Sequence, residues 1–213
     1  MKKLMFLMMT VIAMCVTSCH KGEKSDPVSH QSASQVILDS LAAHVDSASA
    51  DYQYFEASFE LVSTVDSLDS FSVSSIQSIY QVVDTVTSTP TVFVANYSFD
   101  SATVAWKVLE GAFWTEDLDL RSKDVKLSPE EAFSKLMETN VIRPHSRFMV
   151  LRCPLGPIAC DAQYIFGNTN SGIVYVNAKT GEVTTTDPVF YFSRLNIFEE
   201  KPGWGWNSIR IRL

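Results

Sequence analysis

The segment LSPEEAFSKLMETN, residues 127–140, most strongly constrains the fold, because it predicts a helix with a defined start. Ser128 can accept a hydrogen bond as the N-cap, Pro129 suits the first turn, and Glu131 can return the capping bond. The helix is expected to end near Asn140. Helical spacing predicts a buried face that consists of Ala132, Phe133, Leu136 and Met137.

Four strands are predicted after this helix. Three of them are expected at segments rich in strand-forming residues, RFMVLR, AQYIF and GIVYVN, with a turn at 168–172. The fourth is a short last strand that runs through Thr185. Short connections favour an antiparallel meander that packs one face on the helix. The sequence therefore predicts an α+β fold.

The upstream half predicts helices and strands as well. The helical spacing of Ile37, Leu41, Val45 and Ala48 predicts a first helix that begins near Ser34. A strand is expected at 54–65, a second helix at 73–86, a hairpin of 91–99 with 102–109, and a further strand at 112–120. The second helix is inferred from the spacing of Ile76, Ile79, Tyr80 and Val83.

Three pieces of the C-terminal half together resemble the PepSY domain, which occurs in peptidase propeptides and many exported bacterial proteins. They are the Ser-Pro-Glu-Glu-Ala helix opening at 128–132, the strand that holds Tyr164, and the ending VYVNAKTGEV at 174–183. The resemblance covers about sixty residues of 123–187 and implies binding or inhibition, often of peptidases, without catalytic residues. The loop RCPLGPIACD departs from the pattern.

The N-terminal half, 34–122, contains a weaker version of the same order, a helix at 73–86 followed by strands. If both halves are PepSY-like repeats, the tandem pair resembles the two-repeat architecture of the β-lactamase inhibitor protein. The first half lacks the TGEV ending. The tandem arrangement is therefore one of two interpretations, the other being a single module at 123–187.

The N-terminus predicts export and acylation. Lys2 and Lys3 precede an apolar stretch, and residues 16–19, VTSC, resemble the bacterial lipobox, so 1–18 is expected to be a lipoprotein signal peptide and Cys19 the acylated residue. Each buried methylene of an acyl chain contributes ~0.8 kcal/mol to membrane attachment. An ordinary secretory signal or an uncleaved helix is the alternative. Polar residues 19–33 are expected to form a flexible tether.

Charge and motifs narrow the function classes. The formal net charge of −7 and the small number of basic clusters argue against nucleic acid as a partner. No nucleophile, zinc-protease or phosphate-loop motif is visible, so we expect neither catalysis nor a cofactor. The acids Glu116, Asp117 and Asp119 could supply oxygen ligands to calcium, but we interpret them as a solvated strand face. His20 and His30 are interpreted as solvated tether residues rather than metal ligands.

Cysteines and aromatic residues give the remaining candidate sites. In an exported protein, Cys153 and Cys160 are expected to form a disulfide rather than a redox or metal pair. Trp204 and Trp206, in the aromatic tail 188–213, can grip a peptide or stack on a sugar, or the tail can pack across the sheet. Tyr175, in the last hairpin, is a further candidate binding residue.

These observations predict a lipid-anchored, non-catalytic binding module in the cell envelope of a bacterium with two membranes. We expect an outer-membrane lipoprotein that faces the periplasm or the cell surface. The expected partners are the membrane, through Cys19, and a protein or peptide such as a peptidase. Carbohydrate binding and an envelope hydrolase are the alternatives; the first requires an exposed Trp204 or Trp206, and the second a pocket with paired titratable groups.

Overall fold

The computed structural model describes residues 32–115, 117–153 and 161–185. Within these residues, two helices accompany eight strands of one antiparallel sheet, which confirms the α+β prediction. In chain order the elements are α1 (Ala33–Ala48), β1 (Gln53–Leu61), β2 (Val73–Val83), β3 (Pro90–Ser98), β4 (Thr103–Glu110), α2 (Pro129–Met137), β5 (Phe148–Arg152), β6 (Gln163–Asn168), β7 (Gly172–Asn177) and β8 (Val183–Thr184).

The order of a helix followed by four strands occurs twice along the chain. The strand order in the sheet is β4-β3-β2-β1-β5-β6-β7-β8, so the first strand of each half lies at the centre. Antiparallel pairing of β1 with β5 joins the halves, with Ala57 opposite Leu151 and Phe59 opposite Met149. The helix of the first half is α1, not the segment at 73–86.

Both helices pack on the same side of the sheet, which we call the helix face. Leu38 of α1 and Phe133 and Leu136 of α2 share one core with Ala57 and Phe59 of β1. Farther along α1, Leu41 and Val45 pack on Tyr80 of β2 and Ala95 of β3. The opposite side, which we call the strand face, receives neither of these two helices.

The predicted helix at 73–86 is wrong, because residues 73–83 form β2. Ile76 and Tyr80 are four residues apart, a spacing that suits one helix face and also one strand face. Pairing decides between the two periods, since Tyr80 lies opposite Tyr54 of β1 and Phe93 of β3. The β-branched content of 73–86 favours the strand as well.

The predicted strand at 112–120 is also wrong for its described residues, which lack a strand. The segment instead crosses the strand face. Ala112 and Trp114 pack there against a cluster whose other buried members are Phe55, Ile79, Val92 and Val94. The segment is held there by the burial of these side chains and by single backbone hydrogen bonds, such as the 2.7 Å bond from the N–H of Leu118 to the carbonyl oxygen of Cys153.

The helices predicted near Ser34 and at 127–140 are confirmed as α1 and α2, with small differences. Ser32 caps α1, where Leu38 is buried and Ile37 only partly so, while Ala48 is exposed. In α2 the full capping box of Ser128 and Glu131 is present. The helix ends at Met137, which is 36% exposed rather than buried, so the turn to Asn140 is not helical.

Candidate functional site

The three sequence pieces behind the predicted PepSY resemblance meet at one joint in the structure. The hydroxyl of Tyr164 donates a 2.7 Å hydrogen bond to the carbonyl oxygen of Leu127, directly before the cap of α2. The carbonyl oxygen of Ala178, just after β7, accepts from the backbone N–H groups of Lys126 and Leu127 at 2.9 and 3.0 Å. The joint therefore attaches the start of α2 to β6 and to the end of β7.

The turn after β7 completes this joint. The side-chain oxygen Oδ1 of Asn177 accepts from the backbone N–H groups of Lys179 and Thr180, both at 2.9 Å. Gly181 adopts a φ of +76°, and a Cβ there would lie 3.3 Å from the Lys135 side chain of α2. The ending VYVNAKTGEV thus has a structural role, because its turn packs against the helix.

Asp117, one of the acids predicted to be solvated, is buried in the structure. Asp117 has no exposed side-chain surface, and its Oδ1 accepts a 2.6 Å charge-assisted bond from Nε of Arg152. The indole Nε1 of Trp114 donates to Oδ2 of Asp117 at 3.0 Å. Glu56 lies on the other side, 3.9 Å from Nη1 of Arg152. The interpretation of Asp117 as an edge charge is therefore wrong.

Asp119 is half-buried and likewise has structural contacts. Its Oδ1 accepts from the backbone N–H of Tyr54 at 2.9 Å and from that of Arg121 at 3.0 Å. It therefore fixes the segment after Trp114 to the first residues of β1. Glu116 lies outside the described residues.

The cluster of Asp117, Arg152 and Glu56 contains two carboxyl groups and one guanidinium group. Burial raises the pKa of Asp117 to about 7, the guanidinium of Arg152 opposes this shift, and the charge of Glu56 adds to it. Because arginine stays protonated, the cluster is neutral when one of its two carboxyl groups carries a proton. Because Asp117 bonds both to the indole of Trp114 and to Arg152 of β5, the cluster attaches the segment around Trp114 to the sheet.

Gln81 is a residue of this region that sequence reasoning missed. It is 5% exposed, and its Oε1 accepts from the backbone N–H of Trp114 at 2.7 Å. Its Nε2 donates to Oε1 of Gln53 at 3.1 Å. No clear signal marks Gln81 in the sequence, because β2 contains other polar residues such as Gln77 and Ser78, and only the tertiary structure brings Gln81 to the backbone of Trp114.

Beyond Trp114, the strand face of β1–β4 presents mostly small polar side chains. Strand pairing aligns them in two rows across the sheet, which we call the polar rows. One row consists of Ser58, Gln77, Asn96 and Ala105, and the other of Glu60, Ser75, Ser98 and Thr103. All except Ser58 are at least partly exposed.

Hydrogen bonds between strands hold the side chains of the polar rows in place. Nε2 of Gln77 donates to Oδ1 of Asn96 at 2.7 Å, and the hydroxyl of Ser75 donates to Oε2 of Glu60 at 3.2 Å. Glu60, the charged member, lies 3.6 Å from Arg147. This arrangement offers ordered amides and hydroxyls, which suit hydrogen bonding to a polar macromolecular surface.

The described residues include two of the candidate site residues named from the sequence. Cys153 is fully buried after β5, but Cys160 lies outside the described residues, so their disulfide stays a prediction. Tyr175 is 8% exposed on β7, opposite Ile165 and Thr184, and lies in the half of the sheet without the polar rows. The other predicted residues lie outside the described residues: Cys19, His20, His30, Trp204 and Trp206.

Metal and membrane sites can be assessed for the described part of the chain. In residues 32–115, 117–153 and 161–185, no three His, Cys, Asp or Glu side chains come together as a metal site. The helices of those same ranges are too short or too polar to cross a membrane.

Comparison with known proteins gave no matching family model, no matching curated protein and no matching solved structure.

Proposed function

We propose that this chain is a lipid-anchored, non-catalytic binding module of the cell envelope, similar to PepSY domains. The lipid on Cys19 holds the domain at the membrane, and the polar rows bind a protein or peptide partner such as a peptidase. Binding of this kind requires no cofactor.

The observation that carries this proposal is the difference between the two sides of the sheet. The helix face is filled by α1 and α2, whereas the polar rows on the strand face keep exposed hydrogen-bonding groups. Because Gln77 and Asn96 are already ordered by their mutual bond, a partner that contacts them loses little additional side-chain entropy. A broad surface of this composition suits a macromolecule.

The composition of the polar rows favours a protein partner over carbohydrate. Sugar sites commonly use aromatic rings as stacking platforms, and the eight residues of the polar rows include no aromatic side chain. A hydrolase would use paired titratable groups in an accessible pocket. Asp117 and Glu56 are such a pair, but the carboxylate of Asp117 has no exposed surface.

The test is in-cell crosslinking of the acylated protein, followed by mass spectrometry and a binding assay with the purified partner. Gln77→Arg and Asn96→Arg each place a large charged group in the polar rows. Ala43→Arg is the matched control, because Ala43 is exposed on α1. We expect both strand-face variants to lose the partner while the Ala43→Arg protein keeps it.

Three results would contradict the proposal. A partner that survives both arginine variants binds elsewhere, and loss with Trp204→Ala alone would move the site to the aromatic tail. Retention of envelope glycan without any protein would instead support carbohydrate capture. Circular dichroism of each purified variant shows whether the fold is kept.

A further inference from the structure

We propose that the outer edge of β4 binds an extended segment of the partner as an added strand, with an acidic residue of that segment opposite Lys107. This inference rests on the proposed function and specifies the partner as a chain that supplies an extended peptide. A bound strand would lie beside Thr103 and Ala105, where the polar rows end.

The two ends of the sheet differ in how exposed their edges are. β8 at one end has two residues, whereas β4 at the other has eight residues in regular register with β3, without bulge or proline. Among the described strands, none pairs with the outer side of β4. A long, regular edge is a template for pairing, and proteins usually protect such edges by shortening or bulging them.

The helix-face side chains of β4 are suited to an apolar neighbour. Trp106 is partly exposed and is held by the His44 ring of α1, with ring centroids 4.6 Å apart. Val108 is 51% exposed at the same edge. An added strand with β-branched residues on this side would bury the exposed parts of both side chains.

One strand-face side chain of β4, Lys107, favours a negative charge in the added strand. Lys107 is exposed in the middle of the strand, and no ion pair within the described residues includes it. An acidic residue directly opposite is favourable, and a basic one is unfavourable. A partner is favoured over a second copy of this chain, because each copy has a formal net charge of −7 and the two would repel.

The test uses a synthetic peptide of alternating valine and threonine with one glutamate placed opposite Lys107. The acylated protein in detergent is followed by hydrogen-exchange mass spectrometry. We expect slower exchange in residues 103–110, and no effect from the same peptide with alternate backbone nitrogens methylated. Replacing the glutamate of the peptide by lysine should weaken binding about threefold to fivefold.

The matched protein variant is Lys107→Glu, which should reverse this preference so that the lysine peptide binds better. The inference is wrong if exchange slows only in the residues of the polar rows that lie on β1–β3, or if the charge preference does not reverse. It is also wrong if the N–H groups of 103–110 that point away from β3 are protected before peptide is added, because a second copy or the chain itself then occupies the edge; sedimentation would identify a dimer.

The experiments can distinguish failure of the edge-strand inference from failure of the proposed function. The peptide experiment does not involve the native partner, and Gln77→Arg tests that partner at the polar rows. If Gln77→Arg loses the native partner and the peptide does not protect 103–110, the binding-module proposal stands and the edge site is rejected.

Discussion

At the scale of single residues, Asp117 is the group whose chemistry depends most on its surroundings. Burial raises its pKa from the usual 3.8 to about 7. The native protein therefore binds more protons than the unfolded chain between those values. It follows that the contribution of Asp117 to the free energy of unfolding is greatest at acidic pH and is lost as the pH rises through about 7.

Asp117→Asn should flatten this pH dependence, because the amide keeps the shape of the side chain but cannot ionise. Between about pH 5 and about pH 8, we expect the variant to lose less unfolding free energy than the native protein. The difference should not exceed about 1.4 kcal/mol per pH unit. Urea unfolding at several pH values measures it.

A matched substitution at the exposed turn residue, Asp100→Asn, should leave the native pH dependence in place. Parallel curves for the native protein and Asp117→Asn would mean that Asp117 is fully ionised in the fold throughout this range.

Gly167 is a second residue whose identity is set by its neighbours. Its φ is +88°, and a Cβ there would lie 2.1 Å from the carbonyl oxygen of Gly172 and 2.6 Å from Cβ of Pro144. A contact this short with the backbone carbonyl of β7 can be relieved only by moving the strand or the loop.

We therefore expect Gly167→Ala to lower the free energy of unfolding by more than about 2 kcal/mol, through backbone strain and steric overlap together. Gly111→Ala is the control, because Gly111 has a φ of +73° but nothing within 4 Å of its added Cβ. It should cost about 1 kcal/mol. Equal losses in urea unfolding would show that steric overlap at Gly167 contributes nothing.

At the scale of elements, the hydrogen bond of Tyr164 at the start of α2 has no equivalent among the described residues of the first half. Tyr164 and Tyr80 both lie on the second strand of their half, and both are fully buried. The hydroxyl of Tyr164 bonds to Leu127, whereas that of Tyr80 has no hydrogen-bond partner of normal geometry among the described residues. The two tyrosines therefore differ in polar contacts rather than in burial.

Tyr164→Phe should destabilise the protein by about 1 to 1.5 kcal/mol, since it leaves the carbonyl oxygen of Leu127 unpaired. Tyr80→Phe should be close to neutral, because the Tyr80 hydroxyl makes no hydrogen bond of normal geometry within the described residues. Thermal or urea unfolding of the two variants compares them directly. A larger loss in Tyr80→Phe than in Tyr164→Phe would contradict this assignment.

At the scale of the whole molecule, the expected lipid would determine where the proposed binding surface is presented. Cys19→Ala removes the predicted acylation site, so we expect the chain to leave the membrane fraction or to accumulate with its signal peptide uncleaved. Cys15→Ala is the control, since Cys15 lies within the apolar stretch of the signal. Fractionation and labelling with a fatty-acid probe measure the effect; equal membrane retention and label in both variants would contradict acylation at Cys19.

The sequence by itself determined those elements whose start or turn is encoded within a few residues. The capping box of Ser128 and Glu131, the hairpin of β3 and β4, and the meander β5–β8 were all predicted, because local hydrogen bonds and strand-forming runs specify them. The candidate site was only partly predictable. Tyr175 and Cys153, which were named from the sequence, lie outside the polar rows, and the polar rows themselves were not predicted.

Only the tertiary structure decided the features that depend on pairing and on burial. The spacing of Ile76 and Tyr80 suits a helix or a strand, and β1 and β3 on either side select the strand. Asp117 resembles a surface acid until Arg152, 35 residues away in sequence, lies beside it. The polar rows exist because the sheet register aligns residues from four strands, and no local sequence pattern encodes that alignment.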